Sequence, residues 1–200
     1  MTTGARPASS NEAARVLLDA AGLQRTLHRI AHEIIEANAD LSHLALVGIH
    51  TRGVSLAHRL RRLIEEFSGV EVELGTVDIT FYRDDVQLRG GEAPLHAQPL
   101  VRATQLGFGL EGMTCILVDD VLYTGRTIRA AIEALFDYGR PDRVQLAVVA
   151  DRGHRELPIR PDYVGKNLPT ARTERVQVQV VEVDELDRVL LVNEPVEAES

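Results

Sequence analysis

Two adjacent carboxylates, Asp119 and Asp120, are followed by a short loop that carries hydroxyls and a glycine: Val121, Leu122, Tyr123, Thr124, Gly125, Arg126 and Thr127. An ionised carboxylate accepts hydrogens from two hydroxyls at once, so an acidic pair suits the vicinal hydroxyls of a ribose. The loop suits an anion. Gly125 lets the backbone adopt left-handed angles or approach a ligand closely. Thr124 and Thr127 offer hydroxyls, and a helix starting here adds free amides and a positive dipole end. The string is not a P-loop: Gly125, Arg126 and Thr127 imitate its last three positions, but Asp120 stands where that motif needs glycine. Alone, an acidic pair before a helix usually serves as a cap; the whole string is less generic.

Two further loops have the same flavour. Thr51, Arg52 and Gly53 combine a hydroxyl, a guanidinium and a glycine, and the planar fork of Arg52 matches two oxygens of a pyrophosphate. Asp151, Arg152 and Gly153 form the third.

The intervening residues must position these loops. Residues 115–118 are small or branched and apolar, as in a strand buried on both faces. Ile128, Ala131, Ile132 and Leu135 then recur at helical spacing, and Gly139 and Pro141 end that pattern. Leu44–Ile49 is an apolar run of strand length, followed past the second loop by Leu56, Leu60, Leu63 and Ile64 on one helical face. Residues 71–79 and 144–150 read as further strands, and 176–183 as an alternating strand that closes the fold. Strands alternating with helices predict a parallel α/β sheet, and ligands of such sheets sit at the carboxyl ends of the strands. All three loops fall there. Ahead of them, Asn11 is placed to cap a helix running through Leu18, with an interruption at Gly22. A second helix begins at Leu23, with Leu27, Ile30, Ala31 and Ile34 inward and His28 and His32 on another face. Two histidines one turn apart can clamp a metal only with a third ligand, so a solvated stripe is the simpler reading.

Composition sets outer limits. With 200 residues, 44% hydrophobic and 26% charged, the chain is long enough for one domain, 1–200, with a real core. Residues 1–10 and 194–200 read as flexible tails, and no apolar run is long enough to span a membrane. The single cysteine, Cys115, lies in the predicted core strand and fits a reducing, cytoplasmic setting. The net charge of −8 argues against a wholly basic nucleic-acid binder. Glu182, Asp184, Glu185 and Asp187 contribute a local acidic cluster. Residues 81–103 break every period with charge, Gly90, Gly91, Pro94 and Pro99, and read as a long loop of the kind that closes over ligands.

Residues 118–131 closely resemble the PRPP-binding motif of the type I phosphoribosyltransferases. The flanking strings DITFYRDD and DRGHRELPIRPDYVGKNLPT resemble one branch of that family, the bacterial pyrimidine operon regulators, which are also uracil phosphoribosyltransferases. The likeness runs from about Gln24 to about Glu185. It implies a central, mainly parallel sheet flanked by helices, with a small hood and a flexible loop. It implies transfer of phosphoribosyl from PRPP to uracil, giving UMP and diphosphate, with Mg²⁺ carried by PRPP and no metal held by protein alone. Asp119 and Asp120 would hold the ribose hydroxyls, 121–127 the 5′-phosphate, and 51–53 and Arg102 the pyrophosphate. Arg152 and a main-chain group near Val176 would contact the base. The branch also implies uridine-nucleotide-dependent binding (UMP or UTP) of a leader mRNA hairpin, with transcription attenuation. The bases for it would be His28, His32, Arg155, Arg160 and Lys166, on a surface of a dimer or larger homo-oligomer. The alternative is a PRPP-dependent transferase for hypoxanthine or orotate without RNA binding.

Overall fold

A computed structural model describes residues 14–80, 82 and 104–193. Five strands form a parallel sheet in the order β3-β2-β4-β5-β6. They are β2 (Leu44–Ile49), β3 (Glu73–Val77), β4 (Thr114–Leu122), β5 (Arg143–Asp151) and β6 (Tyr163–Asn167). Every residue of β2 is buried, which explains its unbroken apolar run: helices cover both faces of a parallel sheet. Helices α1 (Ala20–Ala37) and α2 (Arg52–Ser68) cover one face, where Leu27, Ile30, Leu56 and Leu60 pack on Leu46, Ile116 and Val118. Helix α3 (Arg126–Phe136) covers the other with Ile128, Ala131 and Leu135 against Leu117, Cys115 and Val148. Cutting a fully buried leucine such as Leu60 to alanine costs about 2–5 kcal/mol in such a core.

A second, antiparallel sheet, β1-β8-β7, stands apart from the first. It comprises β1 (Arg15–Leu18), β7 (Glu174–Gln179) and β8 (Arg188–Asn193) and joins the α1–α2 core through Val176, Val178 and Val189. This is the small hood implied by the family likeness.

Three expectations change. Residues 15–18 are a strand, not helix, because Val16 and Leu18 pair with Leu190 and Val189 of β8. The cap belongs to Asp19, whose carboxylate accepts from the Gly22 amide at 2.7 Å, so Gly22 lies inside α1 and does not interrupt it. The alternation over 176–183 is strand only to Gln179; Val181–Asp184 turns into a short helix, α4. Asn11, both tails, Arg102 and nearly all of 81–103 fall outside the described residues.

Candidate phosphosugar site

The carboxyl ends of β2, β4 and β5 bring the three loops to one edge, beside the N-termini of α2 and α3. Strand β4 runs past the acidic pair to Leu122, since 118–122 still pair with β5. Asp119 and Asp120 stand together at this strand end, with their carboxyl groups close enough to interact. Asp119 is buried, and its carboxylate accepts from the Asp120 amide at 2.9 Å. Asp120 is half-buried and accepts from the Val121 amide at 2.7 Å. Burial pushes the Asp120 carboxyl up, opposed by that amide and by the positive Arg52.

Loop 51–53 is pressed against this strand end. A Cβ at Gly53 would lie 2.3 Å from the Val118 carbonyl oxygen, and one at Gly48 would lie 2.5 Å from the Val54 Cα. Glycine at both positions is what lets α2 start directly beside Asp119. The His50–Thr51 peptide is cis. Arg52 donates from Nε and Nη2 to Asp184 at 2.9 and 2.6 Å.

The 122–127 loop takes its shape from behind. The Tyr123 carbonyl accepts from Arg155 Nη1 at 2.7 Å. The Thr124 carbonyl accepts from the amides of Glu156 and Leu157 at 3.0 and 3.1 Å, and the Gly125 carbonyl from Arg129 in α3 at 3.0 Å. Gly125 adopts φ of 94°, and a Cβ there would meet Leu157 and Ile159 at 3.3 and 3.4 Å. Among the described residues the amides of Thr124 and Gly125 donate to nothing. Arg126, at the start of α3, pairs with Glu156 at 2.7 Å. Leu122 is buried in the core, so only its backbone can serve a ligand; its carbonyl accepts from the Arg152 amide at 3.1 Å. The resulting surface has an acidic pair, a guanidinium loop and an amide-lined loop side by side, which is chemistry for a phosphorylated sugar.

Arg152 is buried. Its guanidinium sits 4.0 Å over the Tyr123 ring and donates to Thr170 Oγ1 at 3.2 Å and to the carbonyls of Ala171 and Glu174. It thereby ties the end of β5 to the residues entering β7, where Val176 turns its side chain into the core.

The basic residues expected on an RNA-facing surface divide. His32 is exposed and stacks on Phe67 of α2 with ring centres 4.2 Å apart; half-buried His28 meets the same ring edge-on at 5.5 Å. Arg160 and Lys166 are exposed. Arg29 joins α1 to β6, donating to the carbonyls of Val164 (3.0 Å) and Gly165, so His32 and Lys166 stand on neighbouring elements. Arg155 turns inward. Besides Tyr123 it binds the Ile159 carbonyl at 2.9 Å and the Asp151 carboxylate.

Sequence reasoning missed Asp184, Glu156 and Phe67. The acidic cluster around Asp184 was visible, but its arginine partners lie more than a hundred residues away. Phe67 had no signal beyond its helix.

A family model for the phosphoribosyl transferase domain matches residues 16–186. The chain is 59% identical over 175 residues to a bifunctional protein PyrR of Thermus thermophilus, covering 88% of this chain and 93% of that one. Proteins of the same name from Brevibacillus brevis (57%; 87% of this chain and 94% of that one) and Listeria monocytogenes (51%; 89% and 96%) are also similar. Among solved structures, a hypoxanthine phosphoribosyltransferase of Trypanosoma cruzi superimposes with TM-score 0.67 at 20% identity, covering 94% of this chain and 95% of that one. One from Staphylococcus aureus gives 0.64 at 18%, covering 90% and 93%. At these identities the solved structures establish the shared fold alone.

Proposed function

Since the chain belongs to the PyrR family of phosphoribosyltransferases, we propose that it transfers phosphoribosyl from PRPP to uracil, giving UMP and diphosphate, and regulates pyrimidine biosynthesis genes by uridine-nucleotide-dependent binding to leader mRNA. The observation that carries the catalytic half is the contact of Gly53 with the end of β4, which sets the Arg52 loop against the acidic pair while the 122–127 loop lies just beyond. In this reading the three loops, in that order, face the pyrophosphate, the ribose and the 5′-phosphate of one ligand. This reading takes residues 1–200 as one domain acting in the cytoplasm. Among the described residues no helix is long and apolar enough to cross a membrane.

In this reading the 5′-phosphate docks on the free amides of Thr124 and Gly125 and on the first turn of α3. Asp119 and Asp120 take the ribose hydroxyls, and their negative charge lies beside the carbon that gains oxocarbenium character. Arg52 stabilises charge on the departing pyrophosphate, together with Arg102, which lies outside the described residues. Asp119 and Asp120 are the hard oxygens this chain would offer to Mg²⁺ brought by PRPP, which would supply charge neutralisation on the pyrophosphate. Uracil meets the Arg152 segment and a main-chain group near Val176. Much of the rate comes from holding the two substrates in line.

For the regulatory half, exposed Arg160, Lys166 and His32 form the face for a leader hairpin, with a second copy of the chain extending it. Arg155 and His28 contribute from beneath, since both are held by neighbouring groups. Pyrophosphate release from PRPP and Mg²⁺ in the presence of uracil, hypoxanthine or orotate tests the proposal. Turnover with uracil alone is expected. Turnover with either other base and none with uracil overturns it.

A further inference from the structure

The acidic segment that follows β7 has no part in the chemistry derived so far, yet it contacts the site. Asp184, at the end of α4, grips the Nε–Nη2 edge of Arg52 with both carboxylate oxygens at 2.9 and 2.6 Å. The pair is largely enclosed, with side-chain exposures of 29% for Arg52 and 13% for Asp184. Asp184 is fixed in turn: its Oδ2 accepts from the amide of Val180, whose side chain is fully buried. An arginine carries five N–H donors. The edge held by Asp184 leaves Nη1 without a hydrogen bond among the described residues, and Arg52 still feels the charge of Asp120. Asp184 therefore occupies one edge of the guanidinium and leaves Nη1 for a ligand.

From this geometry we infer that Asp184 is a positioning residue, which orients Arg52 so that its free end meets the pyrophosphate of PRPP. The inference rests on the reading of 51–53 as the pyrophosphate loop. A long flexible arginine side chain otherwise samples many rotamers, and ordering it on binding lowers affinity. A carboxylate anchored to the hood removes that freedom beforehand. The acidic segment does not depend on Arg52 for its own place. Arg59, two helical turns further along the same face of α2, binds Glu182 at 2.8 and 2.6 Å and Asp187 at 2.8 Å through both contacts. Removing the Asp184 charge thus releases Arg52 without releasing the segment.

The test compares wild type, Asp184→Asn and Asp184→Ala, each also in an Arg52→Ala background. Three quantities are measured: KM for PRPP, the affinity for Mg²⁺-pyrophosphate, and the affinity for UMP, which has no pyrophosphate. Positioning predicts that KM for PRPP and the pyrophosphate Kd rise roughly tenfold or more in Asp184→Asn, while the UMP Kd stays within about twofold. The rise must disappear when Arg52 is already alanine. Equal losses of UMP and pyrophosphate affinity would mean a general structural effect and overturn the inference. Unchanged or tighter pyrophosphate binding would overturn it too, because Asp184 would then be idle or a competitor. If wild type itself binds no Mg²⁺-pyrophosphate, the reading of loop 51–53 fails instead. Should Asp184→Ala not fold, Asp184→Asn, which keeps the side-chain volume, carries the comparison.

Discussion

Gly53→Ala is the sharpest perturbation of the site's construction. The added Cβ would stand 2.3 Å from the Val118 carbonyl oxygen and 3.4 Å from the Asp119 Cα. Ordinary contact between such atoms needs about 3.3 Å, so α2 and the end of β4 must separate by about 1 Å. Neither partner is a flexible side-chain tip: the carbonyl belongs to a central strand and Gly53 to the first turn of a helix. Overpacking of this kind costs about 1–3 kcal/mol, and backbone against backbone belongs at the upper end. For a domain of this size 1 kcal/mol corresponds to about 2–4 °C, so the melting temperature should fall by about 6–12 °C. The same displacement moves Arg52 away from Asp119 and Asp120, and a 1 Å error in placement can cost about a hundredfold in rate. UMP, proposed to dock on the other loop, should bind within about threefold of wild type. Calorimetry, PRPP-dependent kinetics and UMP titration check the three numbers. A variant that melts at the wild-type temperature and turns over normally would show that the two backbones are not in contact and would refute the argument.

Other consequences are equally open to measurement. Arg155→Gln removes the brace on the Tyr123 carbonyl, so UMP affinity should fall about tenfold, the worth of a charge-assisted hydrogen bond, whereas Arg160→Gln should leave it unchanged; calorimetric titration of both variants decides. Burial pushes the Cys115 thiol up to about 11, so at pH 8 the native protein should resist a thiol-specific disulfide reagent that labels the unfolded chain at once. Glu182, Asp184 and Asp187 are all held below the usual carboxylate range by Arg59 or Arg52. Their stabilisation is present above the carboxylate values of the unfolded chain and is lost as pH falls below about 4. Asp120, pushed up by burial, acts in the opposite sense. The melting temperature should therefore hold from pH 6 to about pH 4.5 and drop from there to about pH 2.5, and by less in Arg59→Ala; an equal drop in both proteins would remove the clasp from the account.

The parts of this molecule that depend on local pattern were readable from its residues. Leu44–Ile49 is bounded in the structure as its apolar run predicts, and the strand–loop–helix unit around Asp119 and Gly125 is where the motif puts it. The ends drifted wherever pairing decided the matter. Strand β4 extends to Leu122 because β5 continues alongside it, and 15–18 is strand because β8, some 170 residues later, supplies a partner. Strand β6 carries little apolar signal, and its place at the sheet edge follows from pairing with Ala147, Val148 and Ala150. The same limit applies to the site. Asp119, Asp120 and the 122–127 loop are contiguous and legible. That Arg155 points inward, or that Asp184 reaches Arg52, is set by long-range packing that one-dimensional spacing does not encode.

The hydrogen bonds behind the 122–127 loop determine when its ordering cost falls due. With the carbonyls of Tyr123, Thr124 and Gly125 already engaged by Arg155, Glu156, Leu157 and Arg129, the peptide units cannot rotate away from the ligand side. An incoming phosphate therefore meets dipoles that need little reorganisation, because the loop's conformational entropy was surrendered during folding. Binding of a 5′-phosphate should accordingly show a favourable enthalpy, a small entropic penalty and little change in heat capacity, unlike capture by a loop that must fold around its ligand.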